Sequence, residues 1–268
     1  MARDRHDALV AQDWSALIEK IRAQTPARLL SGRVGAAYRT ATQLELRDAH
    51  ASARDAVRCE LNLERDLGAA FLEEWNLFEV STQAANKDEY LLHPDRGRHF
   101  TDESRATILK HCPSGTDVQV VIGDGLSIAA ISTQVPGLVP LLCAGAKDRG
   151  WTFGQVFAIR YCRVGILNEI GDLLRPKVVA LLIGERPGLA TAESLSAYLA
   201  YEPRKSHTDA NRNLLSNIHA RGVPVPQASV RILHLVEQML TRQTSGYHIR
   251  EEFLAGIDAL IQGKPASE

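Results

Sequence analysis

The sequence predicts an α/β fold: a mostly parallel sheet flanked by helices, preceded by a mainly helical N-terminal portion. Two strand-to-loop junctions carry that expectation. One is Val-Gln-Val-Val-Ile-Gly-Asp-Gly-Leu-Ser, Val118 to Ser127, and the other is Val-Val-Ala-Leu-Leu-Ile-Gly-Glu-Arg-Pro-Gly-Leu, Val178 to Leu189. Each is an apolar, β-branched run that stops at Gly followed by a carboxylate. A run apolar on both faces reads as a parallel strand buried between helix layers. Strands of this kind alternate with helical stretches, as right-handed crossover connections require.

The elements follow in order. Trp14 to Ile21 has helical apolar spacing, and Thr25-Pro26 ends that helix or starts the next turn. Gly32 to Ala36 is a flexible or backbone-contact segment. Thr40 to Arg58 is rich in Ala, Leu and charge without Gly or Pro, which favours a long helix. Leu63 to Leu72 is a second helical stretch, while Leu77 to Ser81 and Tyr90 to His93 read as short strands. His93 to Arg98 is a polar turn that opens into a helix from about Thr101 to Lys110. Pro113-Ser-Gly-Thr116 then separates the N-terminal portion, residues 1–112, from an α/β domain, residues 113–268. Within that domain the expected strands are Val118–Ile122, Gln155–Arg160, Val178–Ile183 and Leu195–Tyr201. The expected helices are Leu126–Gln134 and Leu138–Arg149, parted by Pro136-Gly137, then Val164–Leu174 with an interruption at Gly171. Two more cover Ala228–Thr241 and Glu251–Ile261.

Composition narrows the function classes. Hydrophobic residues at 45% and charged residues at 24% are ordinary for a globular protein. A formal net charge of -1 gives no electrostatic footprint for nucleic acid or an anionic membrane. Cys59, Cys112, Cys143 and Cys162 have no C-x-x-C spacing, which argues against a zinc site and for reduced thiols in a cytosolic protein. The first residues lack the apolar core of a signal peptide, and no stretch is read as the ~20 apolar residues of a membrane span.

Several residues bear chemistry without forming a catalytic set. Gly lets the backbone approach closely at a strand's carboxyl end, where open α/β sheets bind ligands. Gly123-Asp-Gly125 lacks the third glycine of a dinucleotide fingerprint, and no phosphate-binding G-x-x-x-x-G-K-[ST] occurs. Asp124 or Ser127 caps the next helix, or Asp124 accepts a hydrogen bond from a ligand or partner. Glu185 either pairs with Arg186 or, fixed by the extended residue before Pro187, accepts hydrogen bonds from a large ligand. Arg160-Tyr161-Cys162-Arg163 suits an anion or an interface. Cys162 has no His base nominated by spacing, Ser216-Asn-Ile-His219 lacks the strained elbow of a hydrolase, and His219 either orients a ligand or is structural.

Taken together, these segments resemble the small (light) subunit of ethanolamine ammonia-lyase, an adenosylcobalamin-dependent bacterial enzyme. The match comprises Pro94-Asp95 with Arg96-Gly97-Arg98, Asp117-Val-Gln-Val-Val-Ile with Asp124-Gly-Leu-Ser127, and Arg160-Tyr161 with Arg163-Val164. It continues through Gly184-Glu-Arg-Pro-Gly-Leu189, Glu193-Ser-Leu-Ser196, Pro203-Arg204 and Ser216-Asn-Ile-His219. It runs from about Ala27 to Gly246, and the order of so many segments is more specific than any one of them.

The resemblance implies a Rossmann-like α/β domain that helps enclose adenosylcobalamin (coenzyme B12) against a large subunit, in a hetero-oligomer. That large subunit carries the barrel in which ethanolamine is deaminated to acetaldehyde and ammonia by radical chemistry, so no catalytic residue is expected in this chain. Val164, Glu185 and Leu214 match the family's cofactor-contacting positions. Relatives can have Cys at the position of Leu214, so a main-chain or apolar contact would survive there and a thiol-specific one would not. The implied location is the bacterial cytoplasm. Some relatives carry a longer N-terminal extension associated with packaging in a microcompartment, whereas this chain starts close to its first predicted helix. Two rival readings are a stand-alone α/β enzyme using Asp124 or Glu185 as general base, and an assembly subunit that never touches cofactor.

Overall fold

Apolar runs without alternation become the interior strands of a six-stranded sheet. The computed structural model describes residues 14–25 and 27–250. The described chain forms two compact units, one reaching to Asp55 with the loop Gly188–Thr191, the other comprising Ala56–Pro187 and the chain from Ala192 onward.

In the first unit, α1 covers residues 14–23. A two-residue turn joins β1 (Arg33–Val34) to β2 (Ala37–Tyr38), so the Gly32 to Ala36 segment forms the first strand and turn of a small antiparallel hairpin. Helix α2 (Thr40–Arg58), most of which belongs to this unit, has the bounds that its Ala- and Leu-rich composition predicts.

The second unit holds the sheet. Its elements are α3 (Leu63–Leu67), α4 (Ala69–Glu74), β3 (Phe78–Ser81), α5 (Lys87–Leu92), α6 (Asp102–His111), β4 (Val118–Gly123) and α7 (Ile128–Asp148). They continue as β5 (Phe157–Arg160), α8 (Ile166–Leu174), β6 (Val178–Gly184), β7 (Leu195–Tyr201), β8 (Asn213–Ile218) and α9 (Val225–Arg242). The strand order is β3-β5-β4-β6-β7-β8. β3, β5, β4 and β6 run parallel, whereas β7 and β8 are antiparallel to their neighbours. Val120, Ile122, Ala180 and Leu182 pack with α7 and α9 on one face. Val121, Leu181, Phe157 and Ile159 pack on the other, with Ile108 of α6 and Ile166 and Ile170 of α8. β4 and β6 are therefore apolar on both faces because both faces are covered.

The structure revises several expected elements. Tyr90 to His93 is helical: Asn86 accepts a hydrogen bond from the Glu89 N–H at 2.9 Å, and this cap with Asp88 and Glu89 in the first turn outweighs the strand preference of Tyr-Leu-Leu. Leu63 to Leu72 is two short helices rather than one. Helix α8 is unbroken at Gly171, where the missing Cβ admits the Pro203 carbonyl; a Cβ there would meet that oxygen at 1.9 Å. β8 was not anticipated from sequence. The segment Glu251–Ile261 lies outside the described residues.

Helix α7 is also continuous through Pro136 and Pro140. A proline inside a helix costs ~3 kcal/mol or more through its missing N–H and its ring clash. The two prolines are four residues apart and half-buried, on a side distinct from Ile131, Val135, Leu138 and Leu142, which bind α7 to the sheet and α9. By length and composition α7 is apolar enough to cross a membrane, a property hidden by reading it as two helices. Its apolar residues instead form the core of this unit.

All four cysteines are free: Cys59 is exposed, Cys143 half-buried, and Cys112 and Cys162 are buried. Burial pushes the Cys112 thiol up to about 12 and Cys162 well above the usual thiol range. A thiol-alkylating reagent on the native protein should therefore label Cys59 first, with Cys112 and Cys162 protected until denaturant is added. Rapid native labelling of Cys162, read by peptide mass spectrometry, would contradict this packing.

Candidate functional site

The topology opens a crevice at the carboxyl edge of the sheet. The loop after β4 leads to α7 on one face, and the loop after β5 leads to α8 on the opposite face. Diverging loops of this kind mark the switch point at which open α/β sheets take ligands. A cavity of 180 Å³ lies there, lined by Gly125 and Leu126 after β4, Arg163 and Val164 after β5, Glu185 after β6 and Tyr198 on β7. The loops touch backbone to backbone. The Leu126 N–H donates to the Gly184 carbonyl at 3.2 Å, and a Cβ on Gly184 would meet the Ser127 carbonyl oxygen at 1.9 Å. This close approach is what the glycine at the end of the apolar run provides.

Val164 and Glu185 line the same cavity. The Glu185 carboxylate is held by neutral donors: the Ser196 hydroxyl at 2.7 Å and the Asn217 N–H at 2.8 Å on Oε1, and the Ser194 hydroxyl at 2.9 Å on Oε2. It makes no ion pair with Arg186, so the pairing open to it from sequence is not the one formed. Oε2 accepts one hydrogen bond within the chain and keeps acceptor capacity. Leu214 sits on β8 directly opposite Tyr198 in register, which places both side chains on one sheet face. Leu214 lies outside the cavity lining and is 47% exposed. On β7 and β8 the opposite face packs through Leu195, Ala197, Leu199, Leu215 and Ile218 into the core beneath α7 and α9. The face bearing Leu214 and Ser216 is open.

Asp124 does not cap α7. Ser127 is the cap, accepting from the Ala130 N–H at 3.3 Å. Asp124 is 0% exposed and paired with Lys87, whose ammonium lies 2.9 Å from Oδ1 and donates to the Gly125 carbonyl at 3.0 Å. Burial pushes the Asp124 carboxyl up from its ordinary range, and Lys87 pulls it part of the way back. Sequence reading missed Lys87, because Asn-Lys-Asp-Glu looks like a solvated polar run.

The remaining candidates are engaged by neighbours within the chain. Arg160 pairs with Glu79 at 2.9 Å. Arg163 donates to the Tyr90 carbonyl at 2.9 Å and stacks over the Tyr90 ring at 4.2 Å. His219 is buried; the Arg221 N–H donates to its Nδ1 at 3.3 Å, so its Nε2 carries the proton shared with Asn217 Oδ1 at 2.7 Å. Cys162 is packing, with no His base beside it among the described residues.

Fold and crevice define an α/β protein with a cavity at the switch point of its sheet, beside an open antiparallel edge strand. Comparison with known proteins names the group. The ethanolamine ammonia-lyase small subunit of Clostridium perfringens is 40% identical over 238 residues, covering 89% of this chain and 78% of the relative. That of Clostridioides difficile is 40% identical over 230 residues, covering 86% and 76%. That of Fusobacterium nucleatum is 39% identical over 231 residues, with the same coverage. The model of the ethanolamine ammonia-lyase light chain family matches residues 15–250, and the chain belongs to that family.

Removing one member of the buried pair should be costly. Lys87→Met leaves Asp124 uncompensated and should lower stability by about 3–5 kcal/mol in urea unfolding. Adding Asp124→Asn should recover part of that loss, and strictly additive effects would contradict a coupled pair.

Proposed function

We propose that this chain is the small subunit of an adenosylcobalamin-dependent ethanolamine ammonia-lyase, and that it covers the corrinoid on the side opposite a large catalytic subunit. The observation that carries this reading is Glu185, a carboxylate at the cavity wall, oriented by Ser194, Ser196 and Asn217, with acceptor capacity left on Oε2. A corrin ring carries primary amides along its rim, and an uncommitted carboxylate lone pair is the partner those N–H groups need. The residues present therefore fit the group: Glu185 as acceptor, Val164 as an apolar wall, and Leu214 as an apolar contact on the open sheet face. When bound, adenosylcobalamin supplies the radical chemistry by which ethanolamine is deaminated to acetaldehyde and ammonia.

The work of this chain's own residues is binding, orientation and exclusion of water. The three donors around Glu185 fix its rotamer before any ligand arrives, which lowers the ordering cost of binding. The small cavity shields only part of a large ligand. The open face of the edge strand β8 calls for a second surface, and the large subunit is the partner that completes it. A stand-alone enzyme using Asp124 as base is disfavoured, since that carboxylate is sealed from solvent and engaged by Lys87. The reading includes a cytoplasmic location, within or outside a microcompartment.

Glu185→Ala in the complex co-purified with its large subunit tests the role. Loss of a hydrogen bond to a charged acceptor, about 1.5–3 kcal/mol, should weaken adenosylcobalamin binding by roughly 10- to 100-fold. The melting temperature of the cofactor-free complex should change by no more than a few degrees. Unchanged affinity would remove Glu185 from the cofactor site.

A further inference from the structure

Next to the cavity lies a larger groove of 810 Å³ whose chemistry the reading above does not use. Arg163, Val164 and Tyr198 line both, so the two spaces are continuous. Five cations border the groove, Arg98, Arg105, Arg163, Lys205 and Arg212, against three carboxylates, Glu169, Asp172 and Asp209. Two of those carboxylates are engaged: Glu169 holds Arg105 at 2.6 Å, and Asp209 pairs with Arg212. Among the described residues, the exposed Arg98 and Lys205 side chains have no hydrogen-bond or ion-pair partner.

Three buried nitrogens bordering the groove also lack a hydrogen-bond partner: Arg163 Nε, Arg212 Nε and His207 Nδ1. Arg212 is the decisive one, because its side chain is only 7% exposed. An unsatisfied buried donor costs about 1–3 kcal/mol, so its retention points to an acceptor that arrives from outside. Arg98 stands close enough to Arg212 to disfavour its charge, adding to the effect of burial. An anion between two guanidinium groups reverses that repulsion. Helix α8 adds to the field through its dipole: it is nine residues long and its N-cap, Gly165, borders the groove, although its first three N–H groups already donate to the carbonyls of Arg163, Val164 and Gly165.

We propose that this groove is a phosphate subsite and, resting on the cofactor reading above, that it receives the phosphodiester of the cobalamin nucleotide loop. Guanidinium forks match tetrahedral phosphate oxygens in geometry as well as charge, and two arginines with unpaired Nε donors are suited to a singly charged diester. Glu185 and the groove then hold two different parts of one ligand, an amide-bearing rim and an anionic tail, with Val164 between them.

The test compares adenosylcobalamin with adenosylcobinamide, which lacks the nucleotide loop and its phosphodiester, in equilibrium binding to the two-chain complex. Arg212→Gln removes the buried donor. Arg98→Gln alters an exposed side chain with no ion-pair partner among the described residues and guards against misfolding. Each should weaken adenosylcobalamin binding about tenfold, as for loss of one charge-assisted hydrogen bond, while leaving adenosylcobinamide binding unchanged. A second arm adds inorganic phosphate to the full-length chain and follows its melting temperature. If phosphate stabilises wild type but neither variant, while adenosylcobalamin affinity is unaltered by the substitutions, the phosphate site stands and the cofactor as its source is overturned. If both variants match wild type in both arms, the subsite itself is overturned. If wild type binds neither corrinoid, the cofactor reading fails and the phosphate arm alone decides the groove.

Discussion

A lysine and an aspartate buried together at the end of β4 hold the ligand edge of this protein in place. Asp124 is the residue at which the chain turns out of the sheet: its N–H donates to the Ile159 carbonyl at 2.8 Å, and its carbonyl accepts from the Cys162 N–H at 2.7 Å. Its carboxylate draws Lys87 in from α5, and the Leu61 N–H approaches its other oxygen at 3.4 Å. The ammonium lies 5.1 Å from the Tyr90 ring centre and 6.0 Å from that of Tyr161. One ion pair thus gathers the end of β4, the chain after β5, helix α5 and the segment before α3. Buried pairs of this kind give up much of their attraction to desolvation, so their value lies in fixing one arrangement over others. Here the arrangement fixed is the wall of the crevice.

With that wall fixed, the sheet's asymmetry governs what can bind. The parallel half is covered on both faces and β7 is largely buried as well, while the edge strand β8 is covered on one face only. Glu185 stands at the junction of the two halves, at the end of the last parallel strand. Its hydrogen-bond donors come from the antiparallel strands β7 and β8 and from Ser194 just before β7. The antiparallel extension therefore orients the carboxylate and also presents an open surface beside it.

Much of this was legible in the sequence. β4 and β6 declared themselves through unbroken β-branched runs, and Gly184-Glu185 marked the strand end at which a carboxylate faces the cavity. Helix α9 followed from its apolar period. Other features depend on contacts that no local pattern encodes. Lys87 reads as surface until Asp124, far along the chain, is placed against it. β8 is obscured because its exposed Leu214 and Ser216 break the apolar pattern that its covered face alone would give. Helix α7 survives two prolines because tertiary packing offsets their cost, and the Tyr90 segment is decided by an asparagine cap four residues upstream of the first expected strand residue. The groove was the least legible, since Arg98, Arg163, Lys205 and Arg212 come from four separate segments.

The central claim is that this chain is one half of a cofactor enclosure whose other half is the large subunit. Its most direct test is ammonia release from ethanolamine by the large subunit alone, by this chain alone, and by the two together, each with and without adenosylcobalamin. The account predicts turnover only when both chains and the cofactor are present. Turnover by this chain alone, or by the large subunit at full rate without it, would contradict the account.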